Sequence, residues 1–263
     1  MTVYVYYKFS NPLSKIIGTC CIAFWIVIYS APLQGFELPE SLQFHGFLSQ
    51  GYSLTSGNNN FFGHSENDGS LDYTEIGANA SWLPLNHLQL SGQLLFRRAG
   101  AIDPESLRLD YGLLDYSFIS DETDRWGLRL GRIKNPEGFY NETRDVPFTK
   151  PSILLPQSIY PDNVRSLQLS SDGFYIYGER RSDYGDFFLN AGVAYPQTVD
   201  RELKPIMFPF IPTTITLNVP GQFDSKISYI TRLLYEWNGG RLRTAFTYFQ
   251  ACLLYTSPSP RDA

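Results

Sequence analysis

Residues 87–97 read HLQLSGQLLFR, and the two faces of this stretch decide how the rest of the chain is read. Leu88, Leu90, Leu94 and Phe96 alternate with Gln89, Ser91, Gln93 and Arg97. A period of two residues is the pattern of a strand with one apolar and one polar face. In a soluble sandwich the polar face would meet water outside. In a strand that crosses a bilayer it would line a lumen, and the apolar face would meet lipid. The length suits the second case, because a tilted transmembrane strand needs roughly ten residues.

The alternation continues on both sides. Upstream, in residues 42–54, Leu42, Phe44, Leu48, Tyr52 and Leu54 oppose Gln43, His45, Ser49 and Ser53. In residues 72–83, Thr74, Ile76, Ala78, Ala80 and Trp82 oppose Glu75, Asn79 and Ser81. Downstream, strands are expected at 107–118, 126–134, 172–181, 186–195, 226–237 and 241–250. The last two are joined by Asn238-Gly239-Gly240, a hairpin signal. The total is about nine strands.

The connections carry further information. In order they read long (55–70), short (84–86), moderate (98–105), short (120–125), very long (135–166), short (182–185), long (196–224) and short (238–240). Antiparallel strands return alternately to the same two ends, so the tight turns gather at one end and the extended loops at the other. That asymmetry is how outer-membrane barrels are built. Tyr52, Trp82, Tyr116, Trp126, Tyr195 and Trp237 near the strand ends suit aromatic girdles. The expected fold is therefore all-β: an antiparallel up-and-down transmembrane β-barrel, of which this chain holds an N-terminal portion.

The longest connection, NPEGFYNETRDVPFTKPSILLPQSIYPDNVRS at 135–166, keeps no sustained periodicity and is punctuated by prolines. Loops of this length inside compact domains are usually functional or disordered. Phe139, Tyr140, Val146, Phe148, Ile153, Leu154, Leu155, Ile159 and Tyr160 give it too much apolar surface for disorder. It is expected to fold back into the mouth of the barrel and narrow it.

At the head of this loop, Gly131-Arg132-Ile133-Lys134-Asn135-Pro136-Glu137-Gly138 resembles the GR-x-K-x-P-x-G-like segment that ends the fifth strand in Gram-negative outer-membrane porins. The resemblance spans roughly residues 42–250. It implies a diffusion channel for small hydrophilic solutes or ions, with sixteen or eighteen strands and a homotrimeric parent. It also implies an inward-folded third outer loop as the constriction. On that basis the constriction candidates are Glu137, Glu142, Arg144, Asp145, Lys150 and Arg165. Lumen-wall candidates are Glu75, Arg97, Asp115, Arg129, Arg232, Glu236 and Arg243. Charged rings and constriction size set selectivity in pores, but the signs here balance too closely to name an ion preference. Each charge has a competing role as a structural bridge holding the loop.

Both ends of the chain differ from its body. Lys8 and Lys15 precede the apolar run of residues 16–29, IIGTCCIAFWIVIY, and SAPLQG follows, so residues 1–35 read as a cleaved secretory signal with the cut after Gly35. Residues 252–262, CLLYTSPSPRD, match the in-frame translation of a transposon-type sequencing adapter over eleven codons. The stretch 252–263 is therefore read as a non-native tail, residues 36–251 as a partial barrel, and this fragment is expected to be inactive by itself. Cys20 and Cys21 fall in the signal and Cys252 in the tail, which leaves neither a disulfide framework nor a thiolate metal site.

Composition narrows the remaining classes. A net charge of −5 and only 18% charged residues carry no basic footprint, so a nucleic-acid partner is not expected. His45, His64 and His87 share no face with a nucleophile and fit no metal spacing, so neither catalytic residues nor a metal or cofactor are expected. Two alternatives stay open: a secreted soluble β-sandwich or adhesin-type binding domain, and an outer-membrane barrel enzyme.

Overall fold

The computed structural model describes residues 39–55, 69–100, 103–210 and 219–257. The expected signal (1–35), His64 and the end of the expected tail (258–263) lie outside the described residues. The described chain forms one nine-stranded sheet in strict sequence order, every neighbour antiparallel. The strands are β1 (Leu42–Ser53), β2 (Ser70–Leu85), β3 (Leu88–Ala99), β4 (Asp103–Ser120), β5 (Asp124–Lys134), β6 (Ser170–Ser182), β7 (Gly185–Pro196), β8 (Gln222–Trp237) and β9 (Leu242–Thr256). Among the described residues of the long connections there are two helices, α1 (Arg165–Leu169) and α2 (Asp200–Met207).

Register aligns the faces read from the sequence. Leu90 lies opposite Trp82 on β2 and Leu114 on β4, so apolar residues meet in rows across the sheet. The polar rows match as well, with Gln89 opposite Asp115 and Asn190 opposite Arg232. Asp110 is the extra residue of a β-bulge between Leu109 and Tyr111, a place where pairing shifts and a side chain can be re-aimed.

The connections at one end are 86–87, 121–123, 183–184 and 238–241, all tight. At the other end they are 54–69, 100–102, 135–169 and 197–221. The expected moderate loop at 98–105 is corrected here, since β3 and β4 run on as a ladder until only residues 100–102 join them. Asp103 is thereby brought to Arg97 Nη1 at 3.4 Å and to Arg108 Nη2 at 2.5 Å, which favours strand pairing over a loop. The expected end of the last strand at 250 also moves. Residues Cys252–Thr256 continue β9 and pair with Gln222–Lys226, and Tyr255 packs on Phe223 at 4.9 Å between ring centroids. A short apolar, β-prone run beside unpaired backbone adds to a sheet whatever its origin.

Burial is inverted relative to a water-soluble sheet. One face exposes large apolar side chains, among them Phe44, Leu48, Leu94, Leu130, Val193, Leu233 and Phe246. The opposite face buries Glu75, Arg97, Asp115 and Arg232 together with Gln93 and Asn190. Its apolar part is a row across neighbouring strands, Ile133, Tyr175, Ala194 and Ile230, flanked by Leu113 and Phe249. Residues 135–169 cover this second face.

Candidate functional site

The loop 135–169 begins and ends in a closed neck. The Asn135 backbone N–H donates to the Leu169 carbonyl at 3.0 Å, and its side-chain amide donates to the Gln168 carbonyl at 2.9 Å. Asn141 donates from Nδ2 to the carbonyls of Asn135 and Gln168, both at 2.9 Å. Tyr175 on β6 donates its hydroxyl to Asn135 Oδ1 at 2.9 Å. Buried amides with full sets of partners fix a backbone that has no ladder of its own.

Tyr160 organises the next turn. Its hydroxyl accepts hydrogen bonds from the backbone N–H of Phe139 (2.8 Å) and of Tyr140 (3.1 Å). Gly138 allows that approach, for it adopts a left-handed φ of 55° and a Cβ there would lie 2.3 Å from the Tyr160 oxygen. The expectation of a loop without helical pattern holds for most of its length. The exceptions are single 3-10 turns at Pro147–Thr149 and Asp162–Val164 and the short α1.

Beneath the loop lies a buried lattice of charge. Arg97 is its hub on the sheet side, at 3.1 Å from Glu75, 3.4 Å from Asp103 and 3.6 Å from Asp162 of the loop. Asp162 in turn takes Arg144 at 2.8 Å and Arg165 at 3.0 Å. Asp145 is contacted by Arg165 and by Lys134, the latter at 2.7 Å, and Lys134 also reaches Asp110 at 2.7 Å. Lys150 lies 3.7 Å from Glu75 and 3.3 Å from the Tyr73 hydroxyl. Burial draws the Arg144, Lys150 and Arg165 cations below their ordinary pKa, and Arg165 furthest. Neighbouring cations add to that effect on Arg165, while Asp162 opposes it on Arg144.

On the other flank, Arg232 of β8 pairs with Glu142 at 2.6 Å and donates to the Gly138 carbonyl at 3.2 Å. Arg243 of β9 pairs with Glu236 at 2.6 Å and sits over the Phe139 ring, 5.2 Å from its centroid. Nearer the tight turns, Arg129 meets Asp115 at 2.9 Å and stacks on Tyr177 at 4.4 Å. The Tyr177 hydroxyl donates to Asp115 at 2.6 Å. Gly127 makes room for that ring, since a Cβ there would stand 2.4 Å from the Tyr177 oxygen. The second long connection braces the first. Glu202 of α2 accepts from the Ser166 hydroxyl (2.7 Å) and backbone N–H (2.8 Å), and burial raises its carboxyl pKa.

All the constriction and lumen-wall candidates thus stand on one face of the sheet or in the loop against it. The structure pairs Glu75 with Arg97, Asp115 with Arg129, Glu142 with Arg232, Glu236 with Arg243 and Asp145 with Arg165. Glu137 differs. It receives only Gln168 Nε2 at 3.3 Å, its other oxygen is buried without a hydrogen bond, and burial pushes its pKa up to about 6. Sequence reading assigned no site role to Tyr73, Asp103, Asp110, Lys134, Tyr160 or Glu202. A signal existed for Lys134, which lies inside the Gly-Arg-Ile-Lys segment. None existed for Asp110, whose bulge is invisible to a period of two.

Comparison of the chain with models of protein families, with curated proteins and with solved structures finds no match.

Proposed function

We propose that the chain is the N-terminal part of an outer-membrane diffusion channel, a porin, with residues 135–169 as its constriction. The observation that carries this reading is the inverted sheet, exposed where it is apolar and buried where it is charged. Lipid is the solvent in which such a face costs nothing, because hydrocarbon is as apolar as the side chains that meet it. Trp82, Tyr116 and Trp237 close the apolar face at the tight-turn end, and Tyr52 and Tyr195 close it at the loop end, all of them exposed. At the loop end Arg132 holds Asp172 at 2.8 Å in the same cross-strand row as Tyr195.

The solvated lumen falls on the polar face, and the loop lies across it. Small hydrophilic solutes and ions are the expected permeants, outer-membrane lipid the surrounding partner, and a homotrimer the expected assembly of the full-length parent. Among the described residues β1 and β9 are the edges of the sheet, and further strands of the parent would add there. No catalytic step is assigned to the buried charges, because they are occupied by one another.

Planar-bilayer recording tests the reading. The refolded full-length parent should give discrete conductance steps. Replacing residues 142–161 with a short Gly/Ser link should raise the unit conductance several-fold. Soluble, monomeric behaviour without detergent and no conductance would instead favour the sandwich-type binding domain.

A further inference from the structure

The loop spends its charges on the sheet. Every charged side chain of residues 135–169 is buried or half-buried, and the most open of them, Glu142, is held by Arg232 at 2.6 Å. The surface turned away from the sheet has a different chemistry. Phe148 is 80% exposed, Ile153 68% and Ile159 51%, and beside them the exposed Ser158 and Asn163 keep uncharged polar groups at the surface, whereas the hydroxyl of Thr149 and the amide of Gln157 donate within the loop. Apolar area this open is unusual on a water-facing surface unless something is meant to slide over or bind it. Hydrogen-bonding groups without charge, set among apolar ones, match a solute that has hydroxyls along its edges and C–H faces between them.

We infer that the constriction presents a neutral, amphipathic surface, and that the permeants it favours are uncharged hydroxylated solutes rather than ions. The inference rests on residues 135–169 being the constriction. Its physical basis is that a formal charge selects ions only where its field reaches the pore. A carboxylate already compensated by a cation a few ångströms away, and buried behind the loop, contributes little field at the free surface. Opposite charges therefore fix the loop's position, and the uncharged residues meet the solute.

The test uses the full-length parent in bilayers and in liposomes. In a KCl gradient its reversal potential should lie near zero. Liposome swelling should be several-fold faster with arabinose than with arabonate, which has nearly the same size and a charge. Phe148→Asp and Ile159→Asp change exposed positions that do not line the cavity among the buried charges, so loop folding should survive. Each should move the reversal potential toward cation preference and slow arabinose entry. Strong ion preference in the unaltered channel, lost on Glu142→Gln or Lys150→Gln, would overturn the inference while leaving the channel intact. An unchanged reversal potential in both Asp variants would overturn it too. Absence of any conductance fails the channel reading itself, and this inference with it.

Discussion

Lys134 Nζ stands 2.7 Å from a carboxylate oxygen of Asp145 and 2.7 Å from one of Asp110. The end of β5 is thereby tied at once to the neighbouring strand and to the loop that follows it. Removing one member of a buried pair leaves the other desolvated and uncompensated, which typically costs about 3–5 kcal/mol. Asp145→Ala should therefore release the loop. Amide hydrogen exchange across residues 139–164 should accelerate while protection of the strands persists.

Arg97 compensates three carboxylates, Glu75, Asp103 and Asp162. Arg97→Met should be far more damaging than loss of the half-exposed Arg243–Glu236 pair. For such open pairs the expected loss is about 1 kcal/mol or less. Denaturant midpoints of the two variants, measured in the same detergent, should differ in that order. Equal midpoints would show that the lattice under the loop does not hold it.

Tyr160→Phe keeps the ring and removes only the acceptor for the Phe139 and Tyr140 N–H groups. A buried donor left without a partner costs about 1–3 kcal/mol. The variant should lower the loop's resistance to trypsin and chymotrypsin, with little change in the heat-modified migration expected of the barrel. Susceptibility equal to that of the unaltered chain would remove Tyr160 from the account.

Glu137 gives the loop a dependence on pH. Burial raises its folded pKa from the ordinary 4.5 to about 6, so the folded state binds the proton more tightly than the unfolded one. The folded loop is then favoured below pH 4.5, and the advantage is lost as pH rises through about 6. Exchange protection of residues 135–145 should fall over that window. Glu137→Gln should flatten the profile there and match the protonated parent at high pH.

Strand existence and face were legible because a period of two survives any local detail. Each of the nine expected segments falls on a strand, with residues 54, 87 and 241 just outside, and the apolar sets of β1, β2 and β3 share one face as the alternation named. Boundaries were less legible. Residues 98–105 read as a loop around Gly100, yet Asp103 binding Arg97 draws the ladder out to residues 99 and 103. Short helices inside the connections were not legible either. α2 carries Pro205 and owes its place to contacts such as Asp200 Oδ1 accepting from the Phe223 N–H at 2.8 Å. For the site, sequence named the charges but not their partners. Partner choice depends on how the loop crosses the sheet, and no local pattern records that.

In the porin reading the exposed apolar face of this sheet meets lipid. Trp82, Trp126 and Trp237 lie on that face close to the tight turns, and Trp25 falls in the expected signal. The most direct measurement is tryptophan fluorescence of the signal-free parent in vesicles whose acyl chains carry bromine at graded depths. Strong quenching, greatest for bromines near the headgroup and falling toward the chain ends, is the predicted result. Emission unaffected by bromine at every depth would contradict the account.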